Sequence, residues 1–289
     1  PKGVMLEHCA LVNFVHCMLR DRGLTADDKV AKHASFSFDV SIFEIYPTLA
    51  CGATLYIVPD EIRLNLVPLN DYYEQQGITR AFFTTQLGEQ FIELFDNRSL
   101  KTLDLGGEKL RFFRKRRYQL FNGYGPTEAS VYCTQFPVER EYANIPIGRP
   151  LANYRIHILD QHNNLQPVGA PGELCIAGVA LARGYWNLPD KTAAAFVADP
   201  FEPGGRLYRT GDLARWLPDG TLEHLGRIDR QLKIRGFRIE PGEIEAAILR
   251  LAGVRQCAVL DIKEPSGVVA LCAYLVADRS LTAALLREE

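Results

Sequence analysis

No stretch of the 289-residue chain is apolar for the roughly 18–20 residues that a bilayer-spanning helix needs. No charged-then-apolar leader opens it. Neither sign of charge dominates: 33 Lys and Arg stand against 35 Asp and Glu, a formal net charge of −2. That balance argues against a general nucleic-acid binder or a polybasic membrane binder. The seven cysteines (Cys9, Cys17, Cys51, Cys133, Cys175, Cys257 and Cys272) form no C-x-x-C pair, and most sit in apolar runs. They read as buried free thiols of a reducing compartment, and the cytoplasm is the expected location. The six histidines do not cluster at metal-ligand spacing, so no structural zinc site is expected. Internal repeats and low-complexity linkers are absent too. What remains is ordinary globular composition, 47% apolar and 24% charged, enough to build one large domain or two smaller ones. Disordered, collagen-like and fibrous classes are excluded.

Residues 6–20 predict a helix with Ala10, Phe14, Cys17 and Met18 on one face. Residues 33–57 run from an apolar strand into a helical stretch, and Gly52 separates that stretch from a strand at Ala53–Val58. A polar-faced helix at 67–77 is closed by Gly77. Then come a strand at Thr79–Thr84, a helix at about 86–95, a strand at Leu103–Leu105, a further run at Tyr118–Leu120 and a loop over Asn122–Glu128. Strands alternating with helices predict a mostly parallel α/β sheet. After about residue 135 the texture changes to short β-like runs, at Arg155–Leu159, Gly172–Ala177, Arg215–Leu217 and Thr221–His224. The last two flank Pro218-Asp219-Gly220, a hairpin signal. From Asp229 a basic strand-like stretch, RQLKIRGFRI, leads to Pro241 and a helix at Glu243–Leu251. Strands at Cys257–Ile262 and Val268–Val276 and a helix start near Leu281 follow. Three segments are therefore expected: an α/β part over 1–135, a β-rich part over 136–228, and a small α+β unit over 229–289 that reads as unfinished.

Four stretches carry chemistry. In Asn122-Gly123-Tyr124-Gly125-Pro126-Thr127-Glu128 the glycines allow close backbone approach to a ligand, Thr127 offers a hydroxyl to a phosphate, and Glu128 offers a hard carboxylate to Mg²⁺. A polar turn after a strand would look similar. In Tyr208-Arg209-Thr210-Gly211-Asp212 an acid after a glycine turn can accept from a ribose diol, or can cap a turn. The stretch from Gly226 to Gly236 packs charge and glycine at a change of texture, as a hinge or a solvated edge strand would. Asp39, within the apolar run Phe36-Ser37-Phe38-Asp39-Val40-Ser41, is costly to bury unless paired; a ligand ammonium or the following helix could supply the partner.

Taken in order, these stretches resemble the adenylate-forming superfamily. The resemblance is strongest to the amino-acid adenylation domains of nonribosomal peptide synthetases. It rests on PKGV at 1–4, FSFDVSIFEI at 36–45, NGYGPTE at 122–128, GELCIAGVALARGYWNLPDKTAAAFV at 172–197, YRTGDLARW at 208–216 and GRIDRQLKIRGFRIEPGEIE at 226–245. It implies the adenylate-forming α/β fold: a large subdomain made of a mostly parallel sheet and a β-rich part, followed by a small α+β subdomain. Such domains begin before Pro1 with a phosphate loop and continue past Glu289 to a lysine that contacts the substrate, so the chain is expected to be a fragment.

The resemblance implies activation of an amino acid with ATP and Mg²⁺ to aminoacyl-AMP. Transfer to a phosphopantetheine thiol on a peptidyl carrier domain follows, with a condensation domain as neighbour and neither nucleic acid nor membrane as partner. Asn122, Gly123, Tyr124 and Gly125 would line the nucleotide site. Thr127 would hold the α-phosphate, Glu128 the Mg²⁺, and Asp212 the ribose with Arg227 beside it; Lys2 would be a remnant of the phosphate loop. His224 stands where Tyr or Phe is usual beside adenine. Asp229 matches the hinge, with Gln231–Gly236 approaching the site in the thioester-forming arrangement. Asp39 would hold the substrate ammonium, and Val40, Phe43, Phe82, Asp104, Gly106, Gly123, Val131 and Tyr132 would line the side-chain pocket. Two Phe, two Val and two Gly suggest open apolar volume for a branched aliphatic amino acid such as Ile, Val or Leu. Asp104 is the misfit: it could bond the Tyr132 hydroxyl or receive a basic or hydroxylated side chain. Another adenylate-forming carboxylate–CoA ligase, or an inactive scaffold, are the alternatives.

Overall fold

The computed structural model describes residues 2–229, 231–234, 237–263 and 269–278. The chain divides into two compact units, residues 1–228 and 229–289.

The first unit opens with α1 (His8–Arg22), which buries Ala10, Phe14, Cys17 and Met18 and ends at Gly23 in a left-handed conformation. Strand β1 (Lys29–Lys32), helix α2 (Val40–Ala50), strand β2 (Thr54–Ile57), helix α3 (Leu66–Gln76), strand β3 (Arg80–Thr84), helix α4 (Thr85–Leu94), and strands β4 (Thr102–Gly106) and β5 (Gln119–Tyr124) follow. All of β1–β5 pair in parallel. Strands β6 (Thr134–Val138) and β7 (Arg149–Pro150) then add antiparallel, giving the order β2-β1-β3-β4-β5-β6-β7. Alternation along β3 shows why both faces must be covered: Phe82 enters one apolar cluster while Ala81 and Phe83 enter the other. Gly88 on α4 is needed for close packing, since a Cβ there would come within 2.1 Å of Leu105 on β4.

The expected loop at Asn122–Glu128 is shorter than the sequence suggests. Asn122, Gly123 and Tyr124 belong to β5, because their backbone is taken up by pairing with β6. The crossover from β4 to β5 has no helix. Its Arg114 and Arg116 instead donate to the carbonyls of Ile92 and Glu93 at the end of α4, at 2.7–2.9 Å.

A second, antiparallel sheet holds β8 (Tyr154–Leu159), β9 (Gly172–Gly178), β10 (Phe196–Ala198), β11 (Arg206–Trp216) and β12 (Leu222–Arg227), with α5 (Pro189–Ala195) before β10. The sequence suggests a glycine turn at 208–212. The structure has one continuous strand there, whose register with β9 shifts between Arg209 and Leu213, with Gly211 at φ 71°. The break in pairing is a bulge that re-aims Asp212.

In the second unit the stretch read as one basic strand is a hairpin, β13 (Leu232–Ile234) and β14 (Phe237–Ile239). Helix α6 (Pro241–Ile248) and the antiparallel pair β15 (Val254–Lys263) and β16 (Val269–Ala277) follow. Gly236 and the helix start expected near Leu281 lie outside the described residues. All seven cysteines are free. No helix among the described residues is long and apolar enough to cross a membrane.

Two buried carboxylates, Asp104 and Asp28, help tie this framework together. Arg22, at the end of α1, donates from Nε and Nη2 to Oδ1 of Asp104 on β4 at 3.0 and 2.6 Å, and the two side chains are 1% and 2% exposed. Asp28 accepts from Lys101 at 2.8 Å, Thr79 at 2.9 Å and the Thr25 N–H at 3.1 Å, and forms an ion pair with Arg80 at 3.0 Å. Burial pushes the Asp28 carboxyl up, and these donors more than reverse it, holding its pKa at about 2.

Arg22→Met leaves the Asp104 charge buried and alone, and is expected to destabilise the fold by about 3–5 kcal/mol in urea unfolding. Arg22→Met with Asp104→Leu removes both charges and should recover most of that loss. Asp28 titrates near 3.9 when unfolded, so its stabilisation is present above about pH 4 and disappears as pH falls through about 2. Asp28→Asn should therefore cost on the order of 2 kcal/mol at neutral pH, with the deficit to wild type closing below about pH 4.

Candidate active site

The carboxyl ends of parallel strands are where an α/β sheet places ligands. Here β3, β4 and β5 run in register, Phe82 beside Asp104 and Gly106 beside Gly123. Beyond the end of β5 the chain enters a 3₁₀ turn, Thr127–Ala129, then two left-handed residues, Ser130 at φ 58° and Val131 at φ 68°. A β-branched residue in that region is strained, and the strain folds the chain sharply enough to return Tyr132 over the strand ends.

The Tyr132 ring fills the space that the glycines leave. A Cβ on Gly123 would meet it at 2.7 Å, and one on Gly106 would meet it at 3.2 Å and the Gly123 carbonyl at 2.9 Å. The two glycines therefore accommodate Tyr132, and do not leave the open volume that composition suggests. Phe43 and Phe82 pack on the same ring, with centroids 5.5 and 6.3 Å away, and Val40 and Val131 are buried in the same cluster. The Tyr132 hydroxyl is buried and makes no hydrogen bond among the described residues. Burial and the Asp104 charge push its pKa well above the usual value. Asp104 thus bonds Arg22 and not Tyr132. Burial raises the Asp104 pKa and Arg22 opposes the rise. A small cavity borders Phe43, Phe82, Arg22 and Asp104.

Asp39 precedes α2 without making a side-chain cap. Its Oδ2 instead accepts from the Thr127 hydroxyl. The loop that carries Asp39 is held from behind by Glu44, fully buried, which accepts from the N–H groups of His33 and Ala34 at 3.0 Å and pairs with Lys32 at 3.2 Å. Burial raises the Glu44 pKa against these donors. His33 in turn meets the Arg63 carbonyl at 2.8 Å, and burial lowers its pKa to about 4.

Glu128 is fully buried. Its Oε1 accepts from the Tyr185 hydroxyl at 2.6 Å, and its carbonyl accepts from the Ala182 N–H at 2.9 Å, so the 180–185 segment positions it. Lys2 lies 5.5 Å from the Tyr185 ring centroid. No group of three or more His, Cys, Asp or Glu that could hold a metal occurs among the described residues. One hard carboxylate suits Mg²⁺, which takes one or two protein ligands and completes its shell with water and phosphate.

Asp212 lies opposite Arg227 across β11 and β12. Its Oδ2 accepts from the Tyr124 hydroxyl at 2.6 Å, and its Oδ1 from Arg227 at 2.7 Å. His224 Nε2 is 3.2 Å from Oδ1. Tyr124 stays a donor, since burial and the Asp212 charge push its pKa well above the usual value. Asn122 points elsewhere: its amide donates to the Pro146 carbonyl at 2.8 Å. Gly125 leaves no room for a side chain, as a Cβ would lie 2.5 Å from the Val131 carbonyl.

The geometry thus joins Asp39 to Thr127, Lys2 to Tyr185 to Glu128, and Tyr124, His224 and Arg227 to Asp212. Asp229 opens the second unit, and its Oδ1 accepts from the Gln231 N–H at 3.1 Å. Sequence reasoning missed Arg22, Glu44 and Tyr185 as supporting residues. Tyr185 lies in a matched stretch and could have been singled out; Arg22 carries no local signal, since its partner is 82 residues away.

The model of the AMP-binding enzyme family matches residues 1–186. Surfactin synthase subunit 2 of Bacillus subtilis is 50% identical over 275 residues, 95% of this chain and 8% of that protein. Bacitracin synthase 1 of Bacillus licheniformis is 45% identical over 281 residues, 97% of this chain and 5% of that protein. The chain thus spans less than a tenth of the length of these relatives. Among solved structures, PA1221, an NRPS protein containing adenylation and PCP domains, aligns with TM-score 0.86 and 28% identity over 99% of this chain and 60% of its own. The Vibrio cholerae adenylation domain AlmE, solved with glycyl-adenosine-5'-phosphate, aligns with TM-score 0.86 and 26% identity over 98% of this chain and 56% of its own. The chain belongs to the AMP-binding enzyme family and has the fold of its adenylation domains.

Proposed function

We propose that this chain activates an α-amino acid, forming aminoacyl-AMP and pyrophosphate from the amino acid and ATP. The acyl group then passes to the phosphopantetheine thiol of a peptidyl carrier domain, in a synthetase where a condensation domain is the neighbour. The observation that carries this reading is the bond between Asp39 and Thr127. In this reading the carboxylate that would bind the ammonium stands one hydrogen bond from the hydroxyl that would hold the α-phosphate. An α-amino acid has its carboxyl carbon two bonds from its nitrogen, so a substrate held at Asp39 presents its carboxylate beside Thr127.

A carboxylate oxygen then bonds to the α-phosphorus. The bond from that phosphorus to the bridging oxygen breaks, and pyrophosphate leaves with the electron pair. No proton need move, so the protein's work is to position the reactants and balance charge. Thr127 orients the α-phosphate, Lys2 adds positive charge, Asp212 and Arg227 hold the ribose, and Tyr124 with His224 flanks the base. Glu128, set by Tyr185, holds Mg²⁺, which when bound neutralises charge on the phosphate oxygens. Rotation at Asp229, where the chain divides into its two units, exchanges the adenylating and thioester-forming arrangements. The requirement for ATP and the free thiols support a cytoplasmic location.

The apolar wall of Val40, Phe43, Phe82 and Val131 supports a branched aliphatic substrate. Discrimination among Ile, Val and Leu should be incomplete, because one methylene is worth only about 1–3 kcal/mol.

The test is ATP–pyrophosphate exchange by the full-length protein with a panel of amino acids. Exchange is expected with Ile, Val or Leu. Asp39→Ala should lower kcat/KM for the amino acid by at least about a hundredfold, the effect of leaving a buried ammonium unpaired. Absence of exchange with every amino acid, together with CoA-dependent AMP release from a simple carboxylic acid, would replace this reading with a carboxylate–CoA ligase.

A further inference from the structure

The side-chain pocket proposed above contains one charge that an aliphatic substrate has no use for, that of Asp104. A carboxylate buried to 2% exposure with no counter-ion would recruit a cation, and in an amino-acid pocket the available cation is a basic side chain. Arg22 already occupies that role from outside the pocket's own strands. Both of its donors to Asp104 converge on Oδ1. Its Nη1 donates to the Gln135 side chain, whose amide is held by Asp21 at 3.2 Å. Its guanidinium lies 3.6 Å from the centroid of the Phe121 ring. A planar cation clamped by a carboxylate, an amide and an aromatic face is not replaceable by lysine. The other nearby cation, Arg80, is engaged elsewhere, with Asp28 at 3.0 Å and the Gly23 carbonyl at 3.1 Å. The charges of Asp104, Arg22, Asp39 and Glu44 all act on the Tyr132 hydroxyl.

We propose that Arg22 is a specificity-determining residue: by holding the Asp104 charge, it keeps the pocket floor neutral, admits an uncharged side chain and shuts out basic amino acids. The inference rests on the amino-acid-activating reading above. Exclusion has two parts. A basic side chain meets the like charge of Arg22, and it can reach Asp104 only by displacing a guanidinium from the carboxylate, the Gln135 amide and the Phe121 face that hold it. The selectivity of the pocket therefore depends on a residue of α1 that need not touch the substrate.

The experiment compares kcat/KM for ATP–pyrophosphate exchange with Leu, Ile, Val, ornithine, Lys, Arg, Asp and Glu in the full-length protein. Wild type is expected to favour the aliphatic set. In Arg22→Met the ratio of ornithine or lysine to leucine should rise at least tenfold. Adding Asp104→Asn to that variant should return the ratio to the wild-type value, which separates charge from shape. Asp104→Asn alone keeps an oxygen for Arg22 to bond and covers the case in which Arg22→Met does not fold. There the ratio of aspartate or glutamate to leucine should rise at least tenfold, because the guanidinium loses its anion. The inference is overturned if a folded Arg22→Met or Asp104→Asn protein keeps the wild-type ratios, or if wild type already prefers basic amino acids. Absence of wild-type exchange with any amino acid overturns it by a different route, by removing the functional reading on which it rests.

Discussion

A carboxylate taken out of water has to be met by donors, and this requirement organises the first unit. Asp28, Glu44, Asp104, Glu128 and Asp212 are each no more than 3% exposed. Each draws its partners from a different element. Asp28 gathers Thr25, Thr79, Arg80 and Lys101, and so ties the start of β1 to β3 and β4. Glu44 pins the backbone before Asp39. Asp104 anchors the end of α1 to the sheet. Glu128 and Asp212 are met by tyrosine hydroxyls, Tyr185 and Tyr124, that come from distant strands and loops. The cost of burying any one of these groups unpaired is comparable to the net stability of a domain. The same contacts that allow burial therefore also set where the functional side chains stand.

The partners of the buried carboxylates differ in kind. Arg22, Arg80 and Lys32 are full cations, and they neutralise the carboxylates they hold. Glu128 is met by the Tyr185 hydroxyl, which carries no charge. Asp212 has Arg227 on one oxygen and Tyr124 on the other. Asp39 accepts from the Thr127 hydroxyl.

Much of this was legible in the sequence because it is local. The helix over α1, the Gly77 stop of α3, the alternation of strands and helices, and the hairpin at Pro218-Asp219-Gly220 all follow from spacing and turn chemistry. What was not legible depends on register and on long-range pairing. Gly106 and Gly123 read as empty space until the left-handed Ser130 and Val131 are seen to turn Tyr132 back over them. The glycine of Tyr208-Arg209-Thr210-Gly211-Asp212 read as a turn because a bulge and a turn share the same residue preference; only the pairing with β9 separates them. Asp104 read as a misfit because its counter-ion is 82 residues away on another element.

The central claim is the proposed one: that Asp39 would hold the ammonium of an aminoacyl-adenylate, Thr127 would stand beside the reacting carboxylate, and Asp212 would hold the ribose. A crystal structure of the full-length protein with a non-hydrolysable leucyl-sulfamoyl-adenosine tests it most directly. The account predicts the ligand ammonium on the Asp39 carboxylate, the sulfamoyl group beside the Thr127 hydroxyl, and the ribose diol on Asp212. A ligand whose ammonium lies away from Asp39, or whose ribose makes no contact with Asp212, would contradict it.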